Sequence, residues 1–121
     1  MTNDLISLSI PNMLAGMRSG QFSSRELTEA FLKQLDAVEP KVHAFLSLAP
    51  ESALAQADAA DILYKNSDPA NLPPLLGLPI AVKDLLTVKG MPCTCGSKSL
   101  EGFMPPFTAT SIQRLLDAGV V

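Results

Sequence analysis

The chain has 121 residues, which is enough for one small domain with a single core. Apolar residues make up 47% and charged residues 17%, a composition that excludes a disordered chain. The net charge is −3, and the missing basic stripe argues against nucleic-acid binding by this piece alone. No apolar run approaches the roughly 20 residues that a membrane-spanning helix needs, and the N-terminus lacks the pattern of a secretory signal.

The first predicted helix begins after Ser9, whose side chain can cap it. Pro11 suits its first turn and Gly20 can end it. The apolar residues expected on one face are Ile10, Leu14 and Met17.

A capping box marks the second predicted helix. In Ser23-Ser-Arg-Glu26, the serine hydroxyl can accept from the amide of Glu26, and the Glu26 carboxylate can reach back. The helix is expected to end just before Pro40. Its apolar residues recur at helical spacing: Leu27, Ala30, Phe31, Leu35 and Val38.

The next predicted elements are a strand or extended segment over 42–48 and a third helix over 50–65. One face of that helix carries small side chains, which suit close packing on a neighbouring helix. An acidic face is interpreted as solvated. The small residues are Ala53, Ala57 and Ala60, and the acidic ones are Glu51, Asp58 and Asp61.

The last third of the chain predicts the start of an α/β sheet. Residues 66–74 read as a loop, residues 75–82 as a buried strand, and a last helix from Thr108 or Thr110 runs to Ala118. Gly119 and two valines then resemble the entry to another strand. We therefore expect an α/β fragment of a longer protein, with a helical segment at about 1–65, a loop at 66–74 and the beginning of a sheet at 75–121.

Lys83 is the strongest candidate for chemistry, because it follows the predicted strand at its carboxyl end. A lysine in an apolar wall loses hydration, so its neutral form becomes easier to reach and can act as a base. Spacing alone favours a structural, strand-end lysine. Asp84 can orient Lys83 or hold a loop by accepting backbone N–H bonds, and the second is the usual role after a strand.

Three further candidates have simple structural interpretations. Cys93 and Cys95 could be redox-active or metal-binding, but small side chains in a tight loop fit them better. Two cysteines so close seldom bridge each other, and two ligands do not make a zinc site. His43 could be a base and is better read as a half-buried strand residue. Gly96-Ser97 lacks the G-x-S-x-G pattern of a nucleophile turn.

Residues 77–84 read GLPIAVKD, a run with a glycine, a proline and the Lys83-Asp84 pair at fixed spacing. This run is similar to the motif G-[LIV]-P-[IVF]-x-[IV]-K-D, and through it the second half of the chain resembles the amidase signature family. The later matching positions are Gly90, Gly96, Ser97 and Leu100. The N-terminal half, including SGQFSSRELTEAFLKQLDAVEPKVHAFLSL, looks like the branch of this family that serves as the glutaminase component of tRNA-dependent amidotransferases.

The resemblance implies an amidase signature fold with a mixed β-sheet core covered by helices, and a catalytic group of a serine nucleophile, a second serine in a cis peptide and a lysine. Lys83 matches the lysine. Neither serine has a counterpart here, because both lie in a downstream Gly/Ser-rich segment of the family. The 121 residues alone are therefore expected to be inactive.

For the amidotransferase branch, the resemblance implies that glutamine hydrolysis supplies ammonia to convert Glu-tRNA(Gln) to Gln-tRNA(Gln) in the cytoplasm. The partners would be the B and C subunits, with the tRNA bound mainly through the partner. No cofactor or metal is implied for the glutaminase component itself, and ATP and Mg²⁺ would be used at the partner. Two alternatives stay open: a stand-alone amidase of small amides, and a non-enzymatic interaction module.

Overall fold

The computed structural model describes residues 5–121, so the part of the predicted helical segment at residues 1–4 lies outside the described residues. The described chain contains helices α1 (Ile10–Ser19), α2 (Ser24–Val42), α3 (Pro50–Asn66) and α4 (Thr110–Asp117). Two short 3₁₀ turns lie at Pro69–Asn71 and Lys98–Leu100. None of the helices described over residues 5–121 has both the length and the apolar character needed to cross a bilayer.

Helix α1 has the predicted ends, and two of the three residues expected inward, Leu14 and Met17, pack on the core. The Ser9 side chain accepts from the Asn12 N–H at 3.4 Å, and Gly20 closes the helix at φ 73°. Ile10, expected inward, is 55% exposed. The buried positions are Met13, Gly16 and Met17.

Helix α2 begins as predicted and ends later. Both hydrogen bonds of the capping box form, from Glu26 N–H to Ser23 Oγ at 3.0 Å and from Ser23 N–H to Glu26 Oε2 at 2.7 Å. The predicted stop before Pro40 is wrong, and so is a strand that starts at Val42, the last helical residue. Proline removes its own N–H from the helix and crowds the carbonyl four residues earlier, but the N–H groups after it can bond again, so the helix continues past Pro40.

The true end of α2 is His43, which has φ 51° and donates its N–H to the Glu39 carbonyl at 2.9 Å. An isolated αL residue after the last turn is a common helix stop. The Glu39 carboxylate also accepts the Phe45 N–H at 2.7 Å, which turns the chain away from the helix axis. Residues 44–49 are therefore irregular rather than a strand.

Helices α2 and α3 pack on each other, and the small face predicted for α3 is buried there. Ala57 is 0% and Ala60 3% exposed. Side chains with little bulk let two helix backbones approach closely. The neighbouring core cluster joins α1, α2 and the segment after the 66–74 loop; its buried members are Met13, Met17, Leu27 and Leu78.

Two acidic residues of α3 bind α2, so the interpretation of this face as merely solvated is wrong. The Asp61 carboxylate accepts the Ser24 N–H at 2.7 Å and the Arg25 N–H at 3.1 Å. It thereby satisfies N–H groups that have no partner within the first turn of α2. Asp58 accepts from the Arg25 guanidinium at 2.6 Å, and both side chains of that pair are about half exposed.

We expect Asp61→Ala to lower the free energy of unfolding by about 2 kcal/mol, because two amides of a buried helix start lose their acceptor. The matched control is Asp58→Ala, one helical turn away. Its exposed ion pair should contribute about 0.5 kcal/mol or less. Urea denaturation followed by helical circular dichroism measures both, and equal losses would contradict the capping role of Asp61.

The segment predicted as a strand over 75–82 begins in a turn at residues 74–77 and has no assigned secondary structure over 78–82. No strand is assigned anywhere in residues 5–121, so the mixed sheet is not seen there. Its pairing is nevertheless sheet-like. The Val121 N–H donates to the Leu78 carbonyl at 2.9 Å, and the Ile80 N–H donates to the Val121 carbonyl at 2.9 Å. This alternation is the hydrogen-bond pattern of parallel strands. The pairing is too short to count as a ladder.

Two side-chain bonds fix the beginning of this segment to the helices. The buried Ser24 hydroxyl donates to the Gly77 carbonyl at 2.7 Å, and the Tyr64 hydroxyl donates to the Leu76 carbonyl at 2.7 Å. Gly77 has φ 76°, a conformation that favours glycine. The helix pair therefore determines the position of the extended segment that leads to Lys83.

Candidate functional site

Lys83 lies at the end of the extended segment, where the chain turns. The N–H groups of Leu85 and Leu86 both donate to the Lys83 carbonyl, at 2.7 and 3.0 Å. The Lys83 side chain is exposed and faces an open cleft of about 460 Å³. The position matches the predicted one, at the carboxyl end of an extended, sheet-like segment.

The cleft is formed by two segments, residues 44–47 and residues 81–92. Lys83 and Asp84 are its charged lining residues. The apolar lining residues are Ala44, Phe45, Leu46, Ala81, Val82, Leu86, Val88, Met91 and Pro92. Lys83 thus has the predicted apolar surroundings, but its exposed side chain is hydrated in this arrangement.

Segment 44–47 is a part of the cleft that the sequence does not reveal, because the pattern over 42–48 predicts a strand or extended segment and no role in a site. The Glu39 carboxylate positions it through the Phe45 N–H. His43, the other candidate in this region, caps α2, is exposed and does not line the cleft. No local sequence pattern places Phe45 at the same cleft as Lys83, because the two residues are 38 positions apart in the chain.

Asp84 holds a loop, as one of its two predicted roles required. One carboxylate oxygen accepts the Thr94 N–H at 2.8 Å, and the other accepts the Thr94 hydroxyl. The Asp84 carbonyl accepts the Cys95 N–H at 3.0 Å. The hydrogen bonds from the Thr94 hydroxyl and N–H lower the pKa of Asp84 below its usual range, and the charge of Lys83 adds a smaller effect in the same direction. The loop that follows the cleft is therefore tied to the residue beside Lys83.

This depressed pKa predicts an acid-sensitive loop. A carboxyl whose pKa is lower in the folded than in the unfolded protein stabilises the fold at pH values above its unfolded-state pKa, which is about 4. This stabilisation is lost as the pH falls through the folded-state pKa. We expect the Thr94 amide to lose protection from hydrogen exchange as pH falls below about 4. In Asp84→Asn that amide should be weakly protected at neutral pH and should show no such transition. An unchanged acid transition in Asp84→Asn would contradict this origin.

The remaining sequence candidates lie outside the cleft. The Ser97 hydroxyl accepts the Ser99 N–H at 3.3 Å and begins the 3₁₀ turn, so Ser97 has a structural role. Cys93 is buried, Cys95 is exposed, and both thiols are free. Within residues 5–121 no three His, Cys, Asp or Glu side chains group as metal ligands would. These placements leave Lys83 as the sequence candidate for base chemistry that the cleft contains.

Comparison with known proteins places these residues in a family. The family profile described as Amidase matches residues 26–121, which include the GLPIAVKD run and both segments that form the cleft, residues 44–47 and 81–92. The chain belongs to the amidase family. Membership supports the family fold.

One curated relative of this amidase chain is the A subunit of the glutamyl-tRNA(Gln) amidotransferase of Streptomyces coelicolor. The two are 45% identical over 119 residues, which cover 98% of this chain and 24% of the relative. The chain therefore spans about a quarter of the length of the curated relatives that it matches.

Solved amidase structures share the fold. The peptide amidase of Stenotrophomonas maltophilia matches with a TM-score of 0.84 and 32% identity, over 93% of this chain and 23% of that chain. A fatty acid amide hydrolase matches with a TM-score of 0.90 over 99% of this chain and 21% of that chain. At 21% identity the second likeness is evidence for the fold alone.

Proposed function

We propose that this chain is the Lys83-bearing part of the A subunit of a tRNA-dependent amidotransferase, which hydrolyses glutamine to supply ammonia. The observation that carries the proposal is Lys83 at an apolar cleft, within the GLPIAVKD run of a chain 45% identical to such a protein. The proposal concerns the protein at the length of its relatives, because 121 residues contain a base and no matching nucleophile.

In this proposal Lys83 works as a neutral amine. Covering the cleft with further chain would exclude water, and burial favours the neutral form of a lysine. Lys83 then takes a proton, through a serine in a cis peptide, from the serine that attacks the amide carbon of glutamine. Backbone N–H groups stabilise the tetrahedral oxyanion, ammonia leaves, and water releases glutamate from the acyl-enzyme. Neither serine has a counterpart among these 121 residues.

The ammonia would go to a partner in the cytoplasm. We propose a heterotrimer with B and C subunits, in which the partner binds Glu-tRNA(Gln) and uses ATP and Mg²⁺ to form Gln-tRNA(Gln). The acidic character of this chain, with a net charge of −3, supports placing the tRNA contacts mainly on the partner.

The finer fold proposal is a mixed sheet. The alternating bonds between residues 78–80 and Val121 support two neighbouring parallel strands of that sheet. Additional strands would pair with the other edge of the extended segment. Such pairing would also cover exposed apolar side chains near the cleft, among them Leu46 and Leu85, which are 73% and 63% exposed.

The test is a chimera in which this chain replaces the matching segment of the Streptomyces coelicolor protein. We expect the chimera, with its partner subunits, to hydrolyse glutamine and to form Gln-tRNA(Gln). The 121-residue chain alone should release no ammonia from glutamine. Turnover by the chain alone, lost in Lys83→Ala, would overturn the assignment of the nucleophile to another segment.

A stand-alone amidase is the second candidate, favoured by the 32% identity to a peptide amidase structure. The same chimera separates the two. A folded chimera that fails to form Gln-tRNA(Gln), together with a chimera on the peptide amidase that hydrolyses peptide amides, would favour this candidate. The higher identity to the amidotransferase component makes the opposite result the expected one.

A further inference from the structure

We propose that Cys93 and Cys95 form a thiol–disulfide exchange site for low-molecular-mass disulfides such as glutathione disulfide. Cys95 is the attacking thiol, and Cys93 resolves the mixed disulfide by closing a bond across Thr94. The proposal concerns the chemistry of this loop and is independent of the amidase reaction.

The two cysteines differ in access, as the two steps require. Cys95 is exposed, so a small disulfide can reach its sulfur. Cys93 is 3% exposed and its N–H donates to the Phe103 carbonyl at 3.2 Å, so its sulfur is shielded from bulk reagents. An exposed attacking thiol beside a protected resolving thiol is the arrangement found in redox-active cysteine pairs.

The loop limits how far the two cysteines can move relative to each other. Its backbone is held on both sides of Thr94, where the Thr94 N–H and hydroxyl and the Cys95 N–H all bind Asp84. Cys95 has φ 51°, so the chain turns at the second cysteine. The separation of the two cysteine Cα atoms depends on the backbone of Thr94, whose N–H and hydroxyl are both held by Asp84.

The thiols influence each other directly. Burial raises the pKa of Cys93, and the neighbouring Cys95 thiol raises that pKa further. A raised pKa makes the Cys93 thiol less reactive toward reagents in solution than an ordinary cysteine. A thiol of higher pKa is also the stronger nucleophile once it loses its proton, which suits the resolving step.

The exchange balances without any further reagent. The Cys95 thiolate attacks one sulfur of glutathione disulfide, forms a mixed disulfide and releases one glutathione thiolate. The Cys93 thiolate then attacks the Cys95 sulfur, forms the Cys93–Cys95 bond and releases the second glutathione. Two protein thiols are oxidised, one disulfide is reduced, and the two thiol protons end on the two glutathione molecules.

A bond across one residue closes a small, strained ring, which makes it easy to reduce. This strain explains why such pairs seldom serve as permanent structural bridges, and it suits a reversible exchange. The ring would enclose Thr94, the residue that binds the Asp84 carboxylate. Oxidation therefore alters the loop beside Lys83 while leaving the helices unchanged.

The experiment treats the 121-residue chain with glutathione disulfide at neutral pH and measures intact mass. The wild type should lose the mass of two hydrogens, retain no glutathionyl adduct and regain its mass on reduction by a dithiol. Cys93→Ala should instead accumulate one stable glutathionyl adduct. Cys95→Ser should remain unmodified while folded, because its remaining thiol is buried.

The outcomes decide the proposal either way. A stable glutathionyl adduct on the wild type shows that Cys93 does not resolve, and no reaction at all shows that Cys95 does not attack; either result overturns it. Helical circular dichroism establishes that each variant is folded. If Cys93→Ala unfolds, Cys93→Ser is used in its place, and a folded Cys93 variant that retains no glutathionyl adduct would also overturn the assignment.

Discussion

Lys83→Ala in the amidotransferase chimera is expected to lower the turnover number for glutamine hydrolysis by about 10⁴-fold or more. In the proposed reaction Lys83 removes the proton that leaves the nucleophilic serine, and removal of one member of such a catalytic group costs nearly as much as removal of all of it. The KM should change little, because the amine contributes mainly to the transition state. Single-turnover ammonia release measures the chemical step directly.

The matched control is Lys89→Ala, six positions further along. Lys89 is exposed and lies outside the lining of the cleft, so its loss should leave the turnover number within about threefold. Equal activity of Lys83→Ala and the unsubstituted chimera would remove Lys83 from the reaction. Because Lys83 is exposed in this chain, the substitution is not expected to unfold it, and circular dichroism can establish that.

Gly77→Ala is expected to lower the free energy of unfolding by about 3 to 5 kcal/mol. A Cβ at this position would lie 2.7 Å from both Cβ and Oγ of Ser24, and the backbone has φ 76°. The new methyl must therefore push apart α2 and the extended segment or break the 2.7 Å bond from Ser24 to the Gly77 carbonyl. Denaturant unfolding of the 121-residue chain measures the effect.

Gly90→Ala is the control that separates the steric clash expected at Gly77 from the strain of placing alanine at a positive φ. Gly90 has a similar φ of 87°, but a Cβ there would meet nothing within 4 Å. Its substitution should cost about 1 to 2 kcal/mol, the strain alone. If the two variants lose the same stability, the close approach of Ser24 to Gly77 has no energetic consequence. An excess of about 2 kcal/mol at Gly77 is the expected steric part.

These contacts connect the two halves of the chain. Asp61 of α3 caps the start of α2, and Ser24 in that first turn holds the Gly77 carbonyl. Six residues later the chain reaches Lys83. Asp61 and Ser24 thus contribute to the position of the candidate base, although neither lines the cleft.

Sequence patterns predicted the local features of the fold well. The cap at Ser9, the reciprocal capping box of Ser23 and Glu26, and the small face of α3 depend on residues three or four positions apart, and all three are present. The end of α2 was predicted wrongly because Pro40 was treated as a stop. The next turn and the αL conformation of His43 decide that end, and neither is visible in the pattern.

The sequence by itself determined where α1 and α2 begin and the small face of α3, and it predicted Lys83 as the candidate base. Only the tertiary structure decided what these residues contact. Asp61 meets Ser24 across 37 positions, Asp84 meets Thr94 across 10, and Phe45 meets the Lys83 cleft from a separate segment. The reason is physical: helix periodicity and caps arise within one or two turns, whereas a carboxylate's partner depends on which backbone the packed core brings to it.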